Sequence, residues 1–402
     1  MAPLFNIGIV ILCGYLGGFL AEKVRLPKIV GYILMGVLLD PQLLGILPEN
    51  FLKNSLIAND FALAIITFSV GSSLAWSKIK QLGKSIVSIT FFEAEFAFIF
   101  VAIGMTFMIT SGSIWHSLAV ALLLAALASP TDPTATLAVE HEYKADGPVS
   151  RTIMGVAASD DALGIMNFSL AVALASALLL GSSYLTVSNL VVAPLIIILT
   201  SLLLGIVVGA FLTFLAREVK EAGSILALVF GTLFVCYGAA HYLHLDELLS
   251  TMTVGIAFVN MSRRSDEVFA LVSNYFEELI FIIFFVLAGA NLNFSTLINN
   301  AWLIVVFVIL RTSGKFLGTY LGARISGASL NVRRYTAYGL LPQGGIVIGL
   351  AILIQQNPNF HSFGSLIVSL ILGTTVIHEF IGPLLAKFAI GKAGEIKGSG
   401  SH

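Results

Sequence analysis

Long apolar runs, separated by short polar or Pro/Gly-rich connections, cover almost the whole chain. An apolar run of about 20 residues can cross a bilayer as a helix, because a helix rises roughly 1.5 Å per residue. The pattern predicts thirteen spans, of which the second, third and ninth are short and need a tilt or their flanks to cross. The spans are predicted at 5–21, 29–47, 61–76, 85–110, 117–139, 151–180, 188–215, 223–241, 247–261, 275–290, 298–323, 335–356 and 363–386.

The composition also indicates a multi-pass membrane protein. Hydrophobic residues make up 57% of the 402 residues and charged residues 11%, which excludes a soluble globule with a solvated surface. The first apolar run leads into Glu22 without a cleavage pattern, so it is predicted to be a spanning helix and not a signal peptide. Cys13 and Cys236 lie within apolar runs and are predicted to be core residues. Nothing in the net charge indicates a nucleic-acid partner, and the last residues, 398–402, resemble an added tag.

The basic residues predict the orientation of the chain. Outside the spans, every Lys and Arg except Lys53 lies at or in an odd-numbered connection or in the C-terminal segment. Basic residues concentrate on the cytoplasmic side of membrane proteins. The N-terminus is therefore predicted outside and the C-terminus in the cytoplasm, with a prokaryotic inner (plasma) membrane as the expected location.

Several short motifs recur in the sequence at an offset of about 218 residues. Seven spans separate equivalent positions, so the two copies lie in opposite orientations. Two inverted halves of six spans are typical of secondary transporters. The matching pairs are Gly71 with Gly289, Gly36 with Gly255, and Asp160-Asp161 with His378-Glu379.

Two adjacent acids, Asp160 and Asp161, lie deep in the sixth span, where no other residue between Arg151 and Leu180 is charged. One ionisable group at this depth costs about 2.5–3.5 kcal/mol on insertion scales, and neighbouring like charges add repulsion. The pair therefore predicts a cation or proton site in the middle of the membrane. The alternative is that the two acids lie at the cytoplasmic end of the helix, and not in the middle of the membrane.

The fifth and twelfth spans each contain a predicted helix break, at Pro130 with Pro133 and at Pro342. Each proline removes a backbone donor and clashes with the preceding turn. Non-helical backbone within a membrane is tolerated only where it is buried in protein or lines a cavity, so both breaks are expected at a solvated site. Two simple proline kinks are the alternative. The polar residues predicted at this site are Ser129, Thr131, Asp132 and Gln343.

Charges on other spans can compensate the half-helix ends at these breaks. Asp132 can neutralise the positive N-terminal ends, and a basic group is needed for the negative C-terminal ends. Arg311 and Lys315 lie one turn apart on the eleventh span. Only Lys can lose its proton when desolvated, so Lys315 is predicted to be the titrating partner of Asp160 and Arg311 a fixed charge, with snorkelling to the surface as the alternative.

Among the other acids within the predicted spans, three are candidates for a role in ion transport. Glu379 of the thirteenth span is an accessory candidate for the ion site, together with Gln343. For Glu93 and Glu95 of the fourth span, a helix–helix or interfacial role and a role in the ion pathway are equally open.

These motifs together resemble the monovalent cation/proton antiporter superfamily. The tandem acids are followed by Leu163-Gly164, a Lys-x-x-Gly motif begins at Lys315, and residues 26–36 are similar to the second helix of the Kef-type and NapA-like branch. The resemblance implies an NhaA-like fold, an all-α protein of 13 transmembrane helices with crossed broken helices 5 and 12, which forms a homodimer. The implied domains are dimerisation-domain spans 1–3 (1–76) and 8–10 (223–290), core-domain spans 4–6 (85–180) and 11–13 (298–387), a linking seventh span (188–215) and a cytoplasmic tail (388–402).

The resemblance also implies roles for individual site residues. Asp161 looks like the obligatory ion-binding carboxylate, Asp160 like the acid that distinguishes electrogenic members from those with Asn, and Lys315 like its salt-bridge partner. The Thr131-Asp132-Pro133 motif is instead similar to the NhaP and eukaryotic exchanger branch. This mixture leaves the stoichiometry open.

The sequence thus favours a secondary active transporter that exchanges Na⁺ or Li⁺ for protons. Its expected physiological role is pH homeostasis. Asp160 and Asp161 would bind Na⁺ through hard oxygen ligands, and burial disfavours their charged form, so protons compete for the same oxygens. An elevator-type, electrogenic cycle without a cofactor is expected. The alternatives are a K⁺/H⁺ antiporter, a sodium-coupled organic-anion carrier and a non-transporting sensor. The sequence contains no catalytic motif, so an enzyme is not expected.

Overall fold

A computed structural model describes most of the chain, and almost all of the described part is helical, without a β-strand. Pro133 of the first predicted break and the rest of the fifth span, up to residue 139, lie outside the described residues. The described residues are 3–24, 28–41, 43–109, 113–132, 145, 147–179, 186, 188, 192–219, 221–292, 294–343 and 345–396.

The described residues form helices of very different length, from 6 to 33 residues. In chain order they are α1 (Pro3–Lys23), α2 (Lys28–Leu39), α3 (Glu49–Asn54), α4 (Leu56–Gly71), α5 (Trp76–Met108), α6 (Ile114–Ala126), α7 (Pro148–Ala157), α8 (Asp160–Leu179), α9 (Ala193–Leu215), α10 (Ala222–Tyr242), α11 (Glu247–Met261), α12 (Ser265–Val272), α13 (Glu278–Ala290), α14 (Phe294–Asn299), α15 (Ala301–Ile325), α16 (Leu330–Gly339), α17 (Ile346–Gln356) and α18 (Gly364–Lys392).

Eight helical stretches in the described part of the chain are long and apolar enough to cross a membrane, and five shorter helices are also apolar. Two of the long stretches combine neighbouring helices: α7 with α8, and α12 with α13 through a π-helical turn at Ser273–Glu277. The all-α, multi-pass membrane class predicted from the sequence agrees with this set of helices.

Some helix ends differ from the predicted spans for identifiable reasons. The second span ends at Leu39 and not at 47, because Pro41 disfavours a helical conformation at the residue before it. The tenth begins at Ser265, before the predicted 275, since acids in its first turn suit a helix N-terminus. Within α5, Gly83 adopts a φ of 70°, a left-handed value that favours glycine, and the helix bends just before the predicted start of the fourth span.

The described residues form two compact units. The first takes its residues from Met1–Leu20, Gly31–Lys80 and Leu185–Asn291, and the second from Ala21–Val30, Gln81–Tyr184 and Leu292–His402. The dimerisation, linking and core roles given to parts of the chain in the sequence analysis stay predictions.

Two helix crossings in the first unit depend on glycine. Where α2 crosses α13, a Cβ added at Gly36 would overlap the backbone of Val286, and one at Gly289 would overlap that of Ile33. Where α4 crosses α11, Gly71 and Gly255 approach the backbone of the opposite helix in the same way. Each crossing therefore joins one helix from each half of the predicted repeat.

In the second unit, three glycines on one face of α15 bring that helix against α5. A Cβ added at Gly314 would lie 2.6 Å from Phe96 O, and one at Gly318 would overlap Phe92 O. One turn further on, the Ser88 hydroxyl donates a hydrogen bond of 3.0 Å to the carbonyl of Gly322. This backbone approach places the polar side chains of the two helices within direct reach.

Candidate ion-binding site

The two adjacent acids of the sixth span lie at a discontinuity in its helix. α7 ends at Ala157 and α8 begins at Asp160, so both carboxylates occupy the first turn of α8. The partial positive charge of a helix N-terminus stabilises anions there. Asp160 is fully buried and Asp161 is partly exposed. The Oδ1 atom of each accepts no hydrogen bond from the described residues, and a buried acceptor in this state favours a proton or a cation.

The two helix breaks are in contact with each other. The first break follows α6 at Ala126, and the second separates α16 from α17. The Asp132 backbone N–H donates to Pro342 O over 3.2 Å. The Gln343 side chain donates from Nε2 to Leu127 O over 3.3 Å. Both backbones are therefore non-helical where they meet, and this contact buries them in protein, as non-helical backbone in a membrane requires.

Arg311 binds the carbonyls of both breaks. Its guanidinium is fully buried and donates four hydrogen bonds to backbone oxygens that have lost their helical donors. The acceptors are Ala128 O at 3.0 Å, Pro130 O at 2.9 Å, Leu341 O at 2.6 Å and Pro342 O at 3.3 Å. One positive charge thus faces the negative ends of two half-helices.

Lys315 lies one turn further along α15, between two carboxylates. Its Nζ donates to Glu93 Oε2, Ser129 O and Thr131 Oγ1, each over 2.7 Å. Asp160 Oδ2 lies 3.7 Å from the same Nζ, within ion-pair distance. The Thr131 hydroxyl in turn donates a hydrogen bond to Asp160 Oδ2. Asp160 is therefore an ion-pair neighbour of Lys315, as the sequence led us to expect, but the directly hydrogen-bonded carboxylate is Glu93.

Asn167 links Ser129 of the first break to an acid on α5. The Asn167 amide donates to Ser129 Oγ over 3.3 Å and to Glu95 Oε1 over 3.2 Å. The Ser129 hydroxyl donates to the carbonyl of Ala94 over 3.2 Å. Glu95 is half-buried, so a polar route leads from a partly accessible carboxylate to the break.

The corresponding acid of the second half also faces the breaks. Glu379 is fully buried and interacts electrostatically with Asp132 and Arg311, and its neighbour His378 has Nδ1 3.1 Å from Gln343 Oε1. A Cβ added at Gly382 of α18 would contact the ring of Pro342, and one at Gly164 of α8 would contact the ring of Pro130. In both halves, a glycine thus allows the helix that carries the acid to pack directly against the proline of a helix break.

The sequence profile of a known family, described as sodium/hydrogen exchanger, transmembrane, matches residues 7–387. The chain belongs to the sodium/hydrogen exchanger family. This finding confirms the resemblance to the monovalent cation/proton antiporter superfamily. As a member, the protein is a multi-pass membrane transporter of cations and protons, not an enzyme, and works without a cofactor.

Two curated relatives and one solved structure are similar to this exchanger over most of its length. It is 22% identical over 399 residues to the probable Na⁺/H⁺ antiporter GerT of Bacillus cereus, covering 96% of this chain and 99% of that one. It is 23% identical over 396 residues to the K⁺/H⁺ antiporter subunit KhtU of Bacillus subtilis, covering 95% and 92%. Its fold is similar to that of the sodium proton antiporter MjNhaP1 from Methanocaldococcus jannaschii at pH 8, with a TM-score of 0.78, 19% identity and coverage of 97% and 98%.

The ligands that the exchanger offers at the crossed breaks are carboxylate, hydroxyl and carbonyl oxygens. Such hard donors suit alkali cations and not soft transition metals. Among the described residues, no group of three or more His, Cys, Asp or Glu could hold a metal ion. Near the breaks, the basic side chains Arg311 and Lys315 lie among several carboxyl groups, of which Glu93 and Asp160 are 2.7 Å and 3.7 Å from Lys315 Nζ.

Two residues of this constellation were missed at the sequence level, Glu93 as the hydrogen-bonded partner of Lys315 and Asn167 as the link to Ser129. Asn167 lies seven residues after Asp160, two helical turns along the same face, and this spacing could have indicated it. For Glu93 the only local signal was an acid inside an apolar run, because its partner is on a helix distant in sequence.

Proposed function

We propose that this exchanger moves Na⁺, or Li⁺, against protons, with Asp161 and Asp160 as the carboxylates that both ions share. The observation that carries the proposal is that the Oδ1 atoms of both acids accept no hydrogen bond from the described residues, while Asp160 Oδ2 accepts one from Thr131 of the first break. Thr131, Ser129 and Asp132 supply further oxygens at the first break. Arg311 and Lys315 compensate charge, and Glu379 and Gln343 are accessory groups of the second break.

Competition for the same oxygens couples the two ions. Two buried, ionised carboxylates repel each other, so the site binds either a cation or protons before it crosses the dry part of the membrane. A neutralised site crosses at much lower cost than a dianion. Two protons on two acids against one Na⁺ make the cycle electrogenic.

The movement that we propose is an elevator-type alternation, in which the core spans 4–6 and 11–13 carry the site past dimerisation spans 1–3 and 8–10 of a homodimer. The inverted repeat and the count of thirteen spans are part of this proposal. Support comes from the paired glycine crossings, Gly36 with Gly289 and Gly71 with Gly255. The predicted repeat relates Gly36 to Gly255 and Gly289 to Gly71, so it converts one crossing into the other. The basic connections support an outer N-terminus and a cytoplasmic C-terminus in a prokaryotic plasma membrane, where the exchange would serve pH homeostasis.

Substitution of Asp161 by Asn tests the centre of the proposal. The amide cannot carry the charge that balances Na⁺, so we expect Na⁺-dependent proton movement in proteoliposomes to fall by about 100-fold or more. The matched control is D266N, since Asp266 is an exposed acid in the first turn of α12. Undiminished exchange by D161N, with D266N also active, contradicts the proposed role.

K⁺/H⁺ exchange is the second candidate, because a relative of similar coverage is named a K⁺/H⁺ antiporter subunit. Hard oxygen ligands alone do not discriminate between alkali cations. Currents on a solid-supported membrane after addition of Na⁺, Li⁺ or K⁺ distinguish the two candidates. A current with K⁺ alone would replace Na⁺ with K⁺ in the proposal and leave the shared carboxylates unchanged.

A further inference from the structure

The ammonium of Lys315 has its hydrogen-bonding capacity fully used without Asp160. A lysine ammonium has three N–H donors, and the structure gives it three acceptors at 2.7 Å, on Glu93, Ser129 and Thr131. Asp160 Oδ2, at 3.7 Å, receives its hydrogen bond from the Thr131 hydroxyl instead. The charge of Lys315 is thus satisfied by a carboxylate outside the tandem acids.

We propose that Glu93 is the resident counter-ion of Lys315 and that this pairing leaves Asp160 free to bind the transported cation. The inference rests on the proposed function and deepens it, because it adds a positioning residue to the site. Glu93 acts through Lys315 and does not itself touch the cation.

The geometry of the Glu93–Lys315 pair is that of a permanent contact. Both side chains have 0% of their surface exposed, and a buried charge without its partner is strongly destabilising. Glu93 Oε2 is the only oxygen of that carboxylate bonded within the described chain, since Oε1 has no partner there. On either side of Lys315, Gly314 and Gly318 allow α15 to contact the backbone of α5. Glu93 and Lys315 therefore meet without a movement of either helix.

The consequence for ion binding follows from charge competition. If Asp160 were the sole counter-ion of Lys315, a cation arriving at Asp160 would have to displace the ammonium and leave it buried without a partner. With Glu93 in place, Lys315 keeps a carboxylate whether Asp160 holds a cation or a proton. Glu93 therefore sets the apparent affinity of Asp160 for the cation.

The charge-removing variant E93Q tests this assignment. The introduced amide can still accept a hydrogen bond but brings no charge, so Lys315 turns to Asp160 and competes with Na⁺. We expect the KM for Na⁺ to rise about tenfold in proteoliposomes, with the maximal rate within about threefold of the parent. E93D keeps the charge and should keep the KM within about threefold. E221Q, at an exposed Glu outside the site, is the matched Glu→Gln control.

A double variant separates this role from a structural defect. If Glu93 acts through Lys315, removal of both charges in E93Q/K315Q lowers the KM for Na⁺ at least about threefold below that of E93Q. A damaged fold would not recover in this way. An unchanged KM in E93Q overturns the inference, and so does a double variant with a KM still about tenfold raised. If E93Q alone does not accumulate, the double variant decides, because a KM about tenfold above that of the parent overturns the inference.

A structure of E93Q makes the inference testable apart from transport. We expect the Lys315 Nζ–Asp160 Oδ2 distance to shorten from 3.7 Å into hydrogen-bond range. An unchanged distance overturns the role of Glu93. Absence of Na⁺-driven and K⁺-driven proton movement in the parent protein would instead overturn the proposed function, so the two failures are distinguishable.

Discussion

At the scale of single residues, Arg311 and Lys315 show how two basic side chains one turn apart take different partners. Lys315 donates to side chains and to one carbonyl, whereas Arg311 donates only to backbone carbonyls of the two breaks. The planar guanidinium can reach several acceptors in fixed directions, which a single ammonium cannot. Arg311 therefore holds the crossed breaks together as well as supplying charge.

The conservative substitution R311K is expected to be harmful for this reason. A lysine at this position keeps the charge but leaves at least one buried carbonyl without a donor, at a cost of about 2–3 kcal/mol. We expect the unfolding temperature in detergent to fall by about 5 °C or more, together with a loss of exchange. The matched control is R324K, at an exposed position on the same helix. Equal unfolding temperatures for R311K and R324K contradict this role.

At the scale of secondary structure, the site depends on helices that approach each other through glycine. Gly164 lies one turn beyond Asp160 on α8 and rests on Pro130, while Gly382 on α18 rests on Pro342. The acids on these helices can face the breaks only because no Cβ intervenes. Sequence spacing could indicate the glycines, but not the surface against which each one packs.

The variant G164A should separate α8 from the first break. The added Cβ overlaps the Pro130 ring, so α8 must shift and Asp160 loses its position against Thr131. A shift of about 1 Å can cost 100-fold in activity, and we expect a loss of exchange of at least tenfold. G231A is the control, because a Cβ there meets no atom within 4 Å and alanine favours a helix. Full activity of G164A would show that this contact does not position the acids.

At the scale of the whole molecule, the structure shows two units and a set of matching glycine contacts. The described residues form two compact units, and within each unit equivalent glycines of the two halves of the predicted repeat make matching contacts. The fold similarity to a solved antiporter extends over 97% of the chain. The sequence profile over residues 7–387 confirms the family, and the helices of the described residues confirm the all-α membrane class, while the repeat, the dimer and the orientation stay predictions.

Orientation is testable by cysteine labelling in a variant without Cys13 and Cys236. The charge distribution places the connection at His244 outside and the connection at Arg263 in the cytoplasm. An impermeant maleimide added to intact cells should therefore label H244C, and should label R263C only after permeabilisation. The reverse pattern would invert the proposed topology.

The sequence by itself determined the features that arise from local composition and spacing. Apolar runs predicted the spanning helices, acids and prolines at depth predicted the site, and repeated motifs predicted two halves, because each of these patterns is visible within one segment or by comparison of two segments. The tertiary structure alone decided which groups meet. Glu93 and Lys315 are 222 residues apart, and Arg311 reaches two breaks on different helices. A buried charge takes the partner that the helix crossings bring within reach, and those crossings depend on the packing of the whole fold.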